Sequence, residues 1–321
     1  MNRIATFPQY QLALGHALQS QRSVLDLQIQ ISSGKVSRDY AGIAGDAHTL
    51  VNLETAHARA RQYIANNATV NRRLQTMETN IAAIFDGLST FRTSLISALN
   101  ADNGEDLAIA EEATHLKQEI ANLLNVKQDG RYLFAGSRTD TKPVELAGWT
   151  PPVMPLTPPL DTYEDEYYRG DQVKLSVEAD ADLTVTYGIT ADEPAFEYAL
   201  RAMYYVELAG NPPDRDTLQV ALALVNTALG TEEGNVDLGV DPITHDIADL
   251  RTLVGASMRS LDSTTKRLDE FMLYTEQTIG DIENVDPAAA IARLATYETQ
   301  LQASYMTLTR LSQLTLVNFL R

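Results

Sequence analysis

From residue 74 to residue 98 the side chains of Leu74, Met77, Ile81, Ile84, Leu88, Phe91, Leu95 and Ala98 stand at alternating gaps of three and four. That interval keeps one narrow apolar seam facing a partner helix, as in a coiled coil. The phase runs back through Val70, Ile64, Ala60, His57 and Leu53, which predicts one helix over residues 50–99, roughly 70 Å long. No proline occurs between Pro8 and Pro143, as long uninterrupted helices require. A seam of this length needs a partner of similar length. Leu250, Val254, Ser257, Leu261, Thr264, Leu268, Phe271, Thr275, Thr278 and Ile282 keep the same gaps and supply it. Between the two, Ile109, Ala113, Leu116, Ile120 and Leu123 predict a return helix over residues 105–128, with Gly130 as its stop. Asn67 and Asn71 lie near the seam, where a buried amide fixes register.

The two ends of the chain are poor in charge. Between Gln9 and Gln30 only Arg22 and Asp26 are charged, and Leu14, Leu18, Leu25 and Ile29 fall at gaps of four, seven and four. A helix is expected there, broken at Ser32-Ser33-Gly34-Lys35 and followed by a loop over residues 38–46. Asp241-Pro242 and Asp286-Pro287 each read as an N-cap followed by proline at the first helical position. The last helix carries Ile291, Leu294, Leu301, Tyr305 and Leu308 as its seam, and after Glu298 its only charges are Arg310 and Arg321. Leu308, Leu311, Leu314, Val317 and Phe319 surround this helix rather than stripe it. A lone copy would leave them in water, so they are expected, with Leu14, Leu18, Leu25 and Ile29, to pack against other copies.

The middle of the chain is different in kind. Six of the twelve prolines fall from Pro143 to Pro159, and residues 131–242 hold 7 Lys/Arg against 20 Asp/Glu. Strands are expected at residues 131–135, 172–177 and 183–187, with a turn over 178–182, then helices at 192–209, capped by Asp192-Glu193-Pro194, and at 214–229. Arg169-Gly170-Asp171 reads as a hairpin turn and Glu164, Asp165 and Glu166 as a solvated acidic face. The fold class that follows is mainly α with a small α+β insert: a long antiparallel coiled-coil bundle formed by the N- and C-terminal thirds. Its expected divisions are an assembly segment at 1–49, a coiled-coil core at 50–130 plus 241–285, an acidic β-containing middle domain at 131–240, and a C-terminal assembly helix at 286–321.

Chemistry is excluded more than invited. The chain has no cysteine, its five histidines are scattered, and it has no Gly-rich phosphate loop, His-Glu-x-x-His or nucleophile elbow. Catalytic, cofactor-binding and metal-ligating residues are therefore none, and no enzyme is expected. A formal charge of -18 argues against nucleic acid and against an anionic membrane surface. No apolar run approaches the roughly 20 residues that span a bilayer, and the first residues lack the apolar stretch of a cleaved signal peptide. Export, if it happens, reads something else.

Four segments carry a resemblance. Leu27-Gln28-Ile29-Gln30-Ile31-Ser32-Ser33-Gly34-Lys35, Gly130-Arg131-Tyr132-Leu133-Phe134-Ala135-Gly136-Ser137, Tyr187-Gly188-Ile189-Thr190-Ala191-Asp192-Glu193 and Leu311 to Leu320 resemble the bacterial flagellin family. The second is similar to the Gly-x-Tyr-Leu-Phe-Ser/Ala-Gly signature of its hook-associated members. Ser37-Arg38-Asp39-Tyr40-Ala41-Gly42 departs from the paired aspartates usual at that place. The resemblance implies a structural component of the flagellar hook–filament junction. It implies export without a cleaved signal by the flagellar type III apparatus, an extracellular place in the flagellum, and self-association into a ring. The partners implied are hook-associated protein type 1, flagellin and a cytoplasmic export chaperone. The alternative within the family is flagellin, the self-polymerising filament subunit.

Overall fold

The computed structural model describes residues 6–100, 108–151, 166–209, 213–232 and 234–319. These form seven α-helices and two small antiparallel sheets, and the chain divides into two compact units, residues 60–269 and residues 1–59 with 270–321. The protein is mainly α with a small β insert, as the periodicity predicts.

In the unit of residues 60–269, helix α2 (Ala47–Asn100) carries the long seam. Leu74, Met77, Ile81, Ile84, Leu88, Phe91 and Leu95 are all buried. Helix α3 (Ile109–Leu124) returns along it. Gly87 lies so close beneath Leu116 that a Cβ there would come within 2.8 Å of its Cδ1, and Ser94 donates to Glu112 at 3.1 Å. Helix α6 (Ile247–Glu283) also runs against α2 in the opposite sense, with Arg251 paired to Glu78 at 2.8 Å and Leu250, Val254, Leu261 and Leu268 buried. Strands β1 (Lys127–Gln128) and β2 (Arg131–Tyr132) form one hairpin; β3 (Leu175–Asp180) and β4 (Leu183–Tyr187) form the other. The tip of the second is held from both long helices: Asn67 donates to the Ala179 carbonyl at 3.0 Å, and Arg267 reaches Asp180 at 2.7 Å. The buried Asn67 amide is thus spent on a hairpin carbonyl.

Helices α4 (Pro194–Leu208) and α5 (Arg215–Leu229) pack together and are buried along most of their lengths. The signature segment ties them to the rest. Phe134 is fully buried edge-to-face on Phe196, with ring centroids 6.4 Å apart, and its carbonyl accepts from Ala191 N–H at 2.9 Å. Inside α4, Glu197 and Arg201 form a buried ion pair at 2.7 Å, with the guanidinium 5.6 Å from the Tyr198 ring centre.

Several local expectations are corrected. Gly130 does not stop α3, which ends at Leu124. Asn125 then exchanges two 2.9 Å hydrogen bonds with the Val144 backbone, and Asp129 and Gly130, at φ 51° and 77°, make the two-residue turn of the first hairpin. Asp241-Pro242 does not open α6, because the Asp241 carbonyl is occupied by the Tyr198 hydroxyl; Asp246 caps the helix, accepting from Asp249 N–H at 2.8 Å. Asp192 is buried rather than capping α4, which follows Glu193 with no side-chain cap. Strand β3 continues to Asp180, so its turn is shorter than predicted. Arg169-Gly170-Asp171 is no hairpin: Asp171 takes the N–H of Ser137 at 2.8 Å and its hydroxyl, while its own N–H donates to the Ala135 carbonyl. Glu164 and Asp165 lie outside the described residues. The cap at Asp286 forms as predicted, to Ala288 N–H at 2.9 Å, and Asp214 caps α5 in the same way, to Thr217 N–H at 2.9 Å.

Candidate assembly surface

The other unit is built on helices α1 (Thr6–Ser33) and α7 (Pro287–Phe319), which pack along each other. The end of α1 meets the start of α7 through backbone bonds from Val36 N–H to the Glu283 carbonyl and from Val285 N–H to the Gly34 carbonyl. From that meeting point α1 counts down as α7 counts up, so the two are antiparallel, about 42 and 50 Å long at about 1.5 Å per residue.

Burial identifies their shared seam. On α1 it passes through Ala13, Ala17, Ser20, Val24, Leu27 and Ile31, and on α7 through Ala290, Leu294, Tyr297, Leu301, Ser304 and Leu308, each covered at least in part. Both sets keep gaps of four and three. The reading from large residues alone found only half of this. Leu294, Leu301 and Leu308 are on the α7 seam, whereas Ile291 and Tyr305 are exposed. The missed signal is the run of small residues on α1, which keeps a heptad rhythm although none of its first three members is large.

Leu14, Leu18 and Leu25 sit one position beyond this seam, and Ile29 two beyond Leu27. They form an outward apolar face, with Leu25 51% exposed, and Tyr10 extends it, while Leu12 is exposed on the other flank of the seam. Leu308 is half-buried; the side chains of Leu311, Leu314, Val317 and Phe319 lie outside the described residues. Met306 adds a 62% exposed apolar side chain to α7. Phe271, expected in the α2–α6 seam, is instead 39% exposed. It has the right phase, but at that turn the next residue, Met272, is the better covered of the two. Leu273 and Tyr274 are exposed beside it.

The surface has little charge of its own. Residues 1–59 with 270–321 carry 8 Lys/Arg against 10 Asp/Glu, whereas residues 60–269 carry 17 against 33. A surface with exposed leucines and near-neutral charge can do one thing well, which is to exclude water against another such surface. Among the described residues no group of three or more metal-ligating side chains occurs, and no helix is long and apolar enough to cross a membrane.

Residues 238–320 match the bacterial flagellin C-terminal helical region. Over 98% of both chains, the protein is 22% identical to flagellar hook-associated protein 3 of Escherichia coli K12 and 21% identical to that of Salmonella typhimurium. Its fold is shared with a flagellar hook-associated protein from Vibrio parahaemolyticus at a TM-score of 0.55 and 18% identity, covering 77% of this chain and 99% of that one. It is shared also with FlgL of Bacillus cereus at 0.53 and 17%, covering 72% and 99%. Residues 238–320 are thus similar to the flagellin family's C-terminal helical region, and over 98% of its length the chain is similar to flagellar hook-associated protein 3.

Proposed function

We propose that this chain is a structural subunit of the flagellar axis, joining hook to filament as a ring of identical copies. The observation that carries the reading is the apolar outer face of the α1–α7 pair, set in a unit with almost no net charge. In the proposed junction the segments 1–49 and 286–321 are the assembly segments. Leu14, Leu18, Leu25 and Ile29, with Leu308, Leu311, Leu314, Val317 and Phe319, pack between copies. The acidic insert at 131–240, carried on the coiled-coil core of 50–130 and 241–285, takes no part in that packing. Hook-associated protein type 1 lies below the ring and flagellin polymerises upon it. The chain reaches this extracellular place through the flagellar type III apparatus, escorted by a cytoplasmic chaperone and without a cleaved signal. Its role is mechanical and not enzymatic.

Electron microscopy of cells lacking the gene tests the reading. Hooks without filaments, with flagellin shed into the medium, are the expected result; intact filaments would overturn it. Complementation with a chain ending before Leu308 should fail to restore filaments while the unit of residues 60–269 keeps its circular dichroism. Purified, seeded protein should not grow into long filaments. If it does, the chain is a filament subunit.

A further inference from the structure

The connectors at the base of the α1–α7 pair form a built joint. Lys35 and Asn284 make an isolated antiparallel bridge, closed by Val36 N–H to the Glu283 carbonyl at 2.7 Å and Val285 N–H to the Gly34 carbonyl at 2.9 Å. The Lys35 ammonium meets Glu283 at 2.9 Å, and the Gln30 side-chain amide donates to the Val36 carbonyl at 2.8 Å. Gly34 turns the chain out of α1 at φ 72°, a left-handed conformation that side chains disfavour. On the other connector, Asp286 caps α7 by accepting from the N–H groups of Ala288 and Ala289. Both helices therefore break at one level, and the breaks are bonded to each other.

Beyond the joint the seam says little about alignment. Ala13, Ala17 and Ser20 present small knobs, and the described seam positions hold no asparagine of the kind that penalises a slipped coiled coil. A slide of one heptad would set small residues against much the same partners. We infer that the bridge between residues 34–36 and 283–285 is a register clamp: it selects which of several near-equivalent alignments the terminal helices adopt. Counting outward from the Lys35–Asn284 pair in equal steps sets Ala17 level with Gln302, beside the seam residue Leu301, and one heptad away from Leu294.

The absence of cysteine makes a clean test possible. In the full chain, at concentrations where it is monomeric, Ala17→Cys with Leu301→Cys should cross-link, and Ala17→Cys with Leu294→Cys should do so about tenfold less, the ratio set by roughly 1.4 kcal/mol of preference. Val36→Pro with Val285→Pro removes both bridging N–H donors, each just after a bridge residue and outside the helices, and circular dichroism checks that the helices survive. In that background the two cross-links should approach equal yield. An unchanged ratio would overturn the clamp. Loss of both cross-links would overturn it too, since the bridge would then hold the helices together rather than choose among registers.

Discussion

At the scale of single residues, two carboxylates in the unit of residues 60–269 show opposite logic. Glu197 is fully buried with Arg201, so truncating one partner strands the other charge in a medium that cannot solvate it. Arg201→Met should cost about 3–5 kcal/mol in urea unfolding, and the double variant with Glu197→Leu should recover most of it. Asp171 lies at the surface, where hydrogen bonds from Ser137 hold its carboxyl below the ordinary 3.8. Because its folded value is the lower one, its contribution is whole above pH 3.8 and is lost as pH falls through that lower value. Melting curves from acid to neutral pH should therefore show an acid limb that Asp171→Asn flattens, with the variant less stable than wild type at neutral pH.

Among the helices, phase alone does not separate a seam from a surface. Leu88 and Phe271 both obey the four-and-three rhythm, yet the first is fully buried and the second is exposed. Leu88→Ala should cost about 2–5 kcal/mol of stability. Phe271→Ala should cost less, about 1–2 kcal/mol, in the same denaturant melts, because part of the ring is already in water. The α2 seam was legible because large residues repeat over many turns, and the cap at Asp286 was legible because its chemistry is local. What escaped was decided by distant atoms. Asn125 finds Val144, Tyr198 occupies Asp241, and Asp171 clasps Ser137. None of these pairings leaves a period in the sequence. The α1 seam was half hidden for another reason, since Ala13, Ala17 and Ser20 are too small to look like a core, although their burial against α7 is what turns Leu14 and Leu18 outward.

For the whole molecule, charge is partitioned: the unit bearing the apolar face is close to neutral, and the other carries nearly all of the acid excess. Copies that meet through the first bring like-charged second units along with them. Self-association should therefore tighten as monovalent salt rises from about 20 mM to about 300 mM, because the screening length shrinks to under about 10 Å. Sedimentation equilibrium reads this directly, and weakening over that range would mean that ion pairs hold the copies. The pairing of α1 with α7 has a consequence in time as well. Between the synthesis of α1 and that of its partner α7 the whole of residues 34–286 must be made. The α2–α3 hairpin can close early because its contacts are near in sequence, but α1 must wait. During synthesis, and after any passage through a channel that unravels the chain, α1 and α7 therefore find each other only after the α2–α3 hairpin has had time to close.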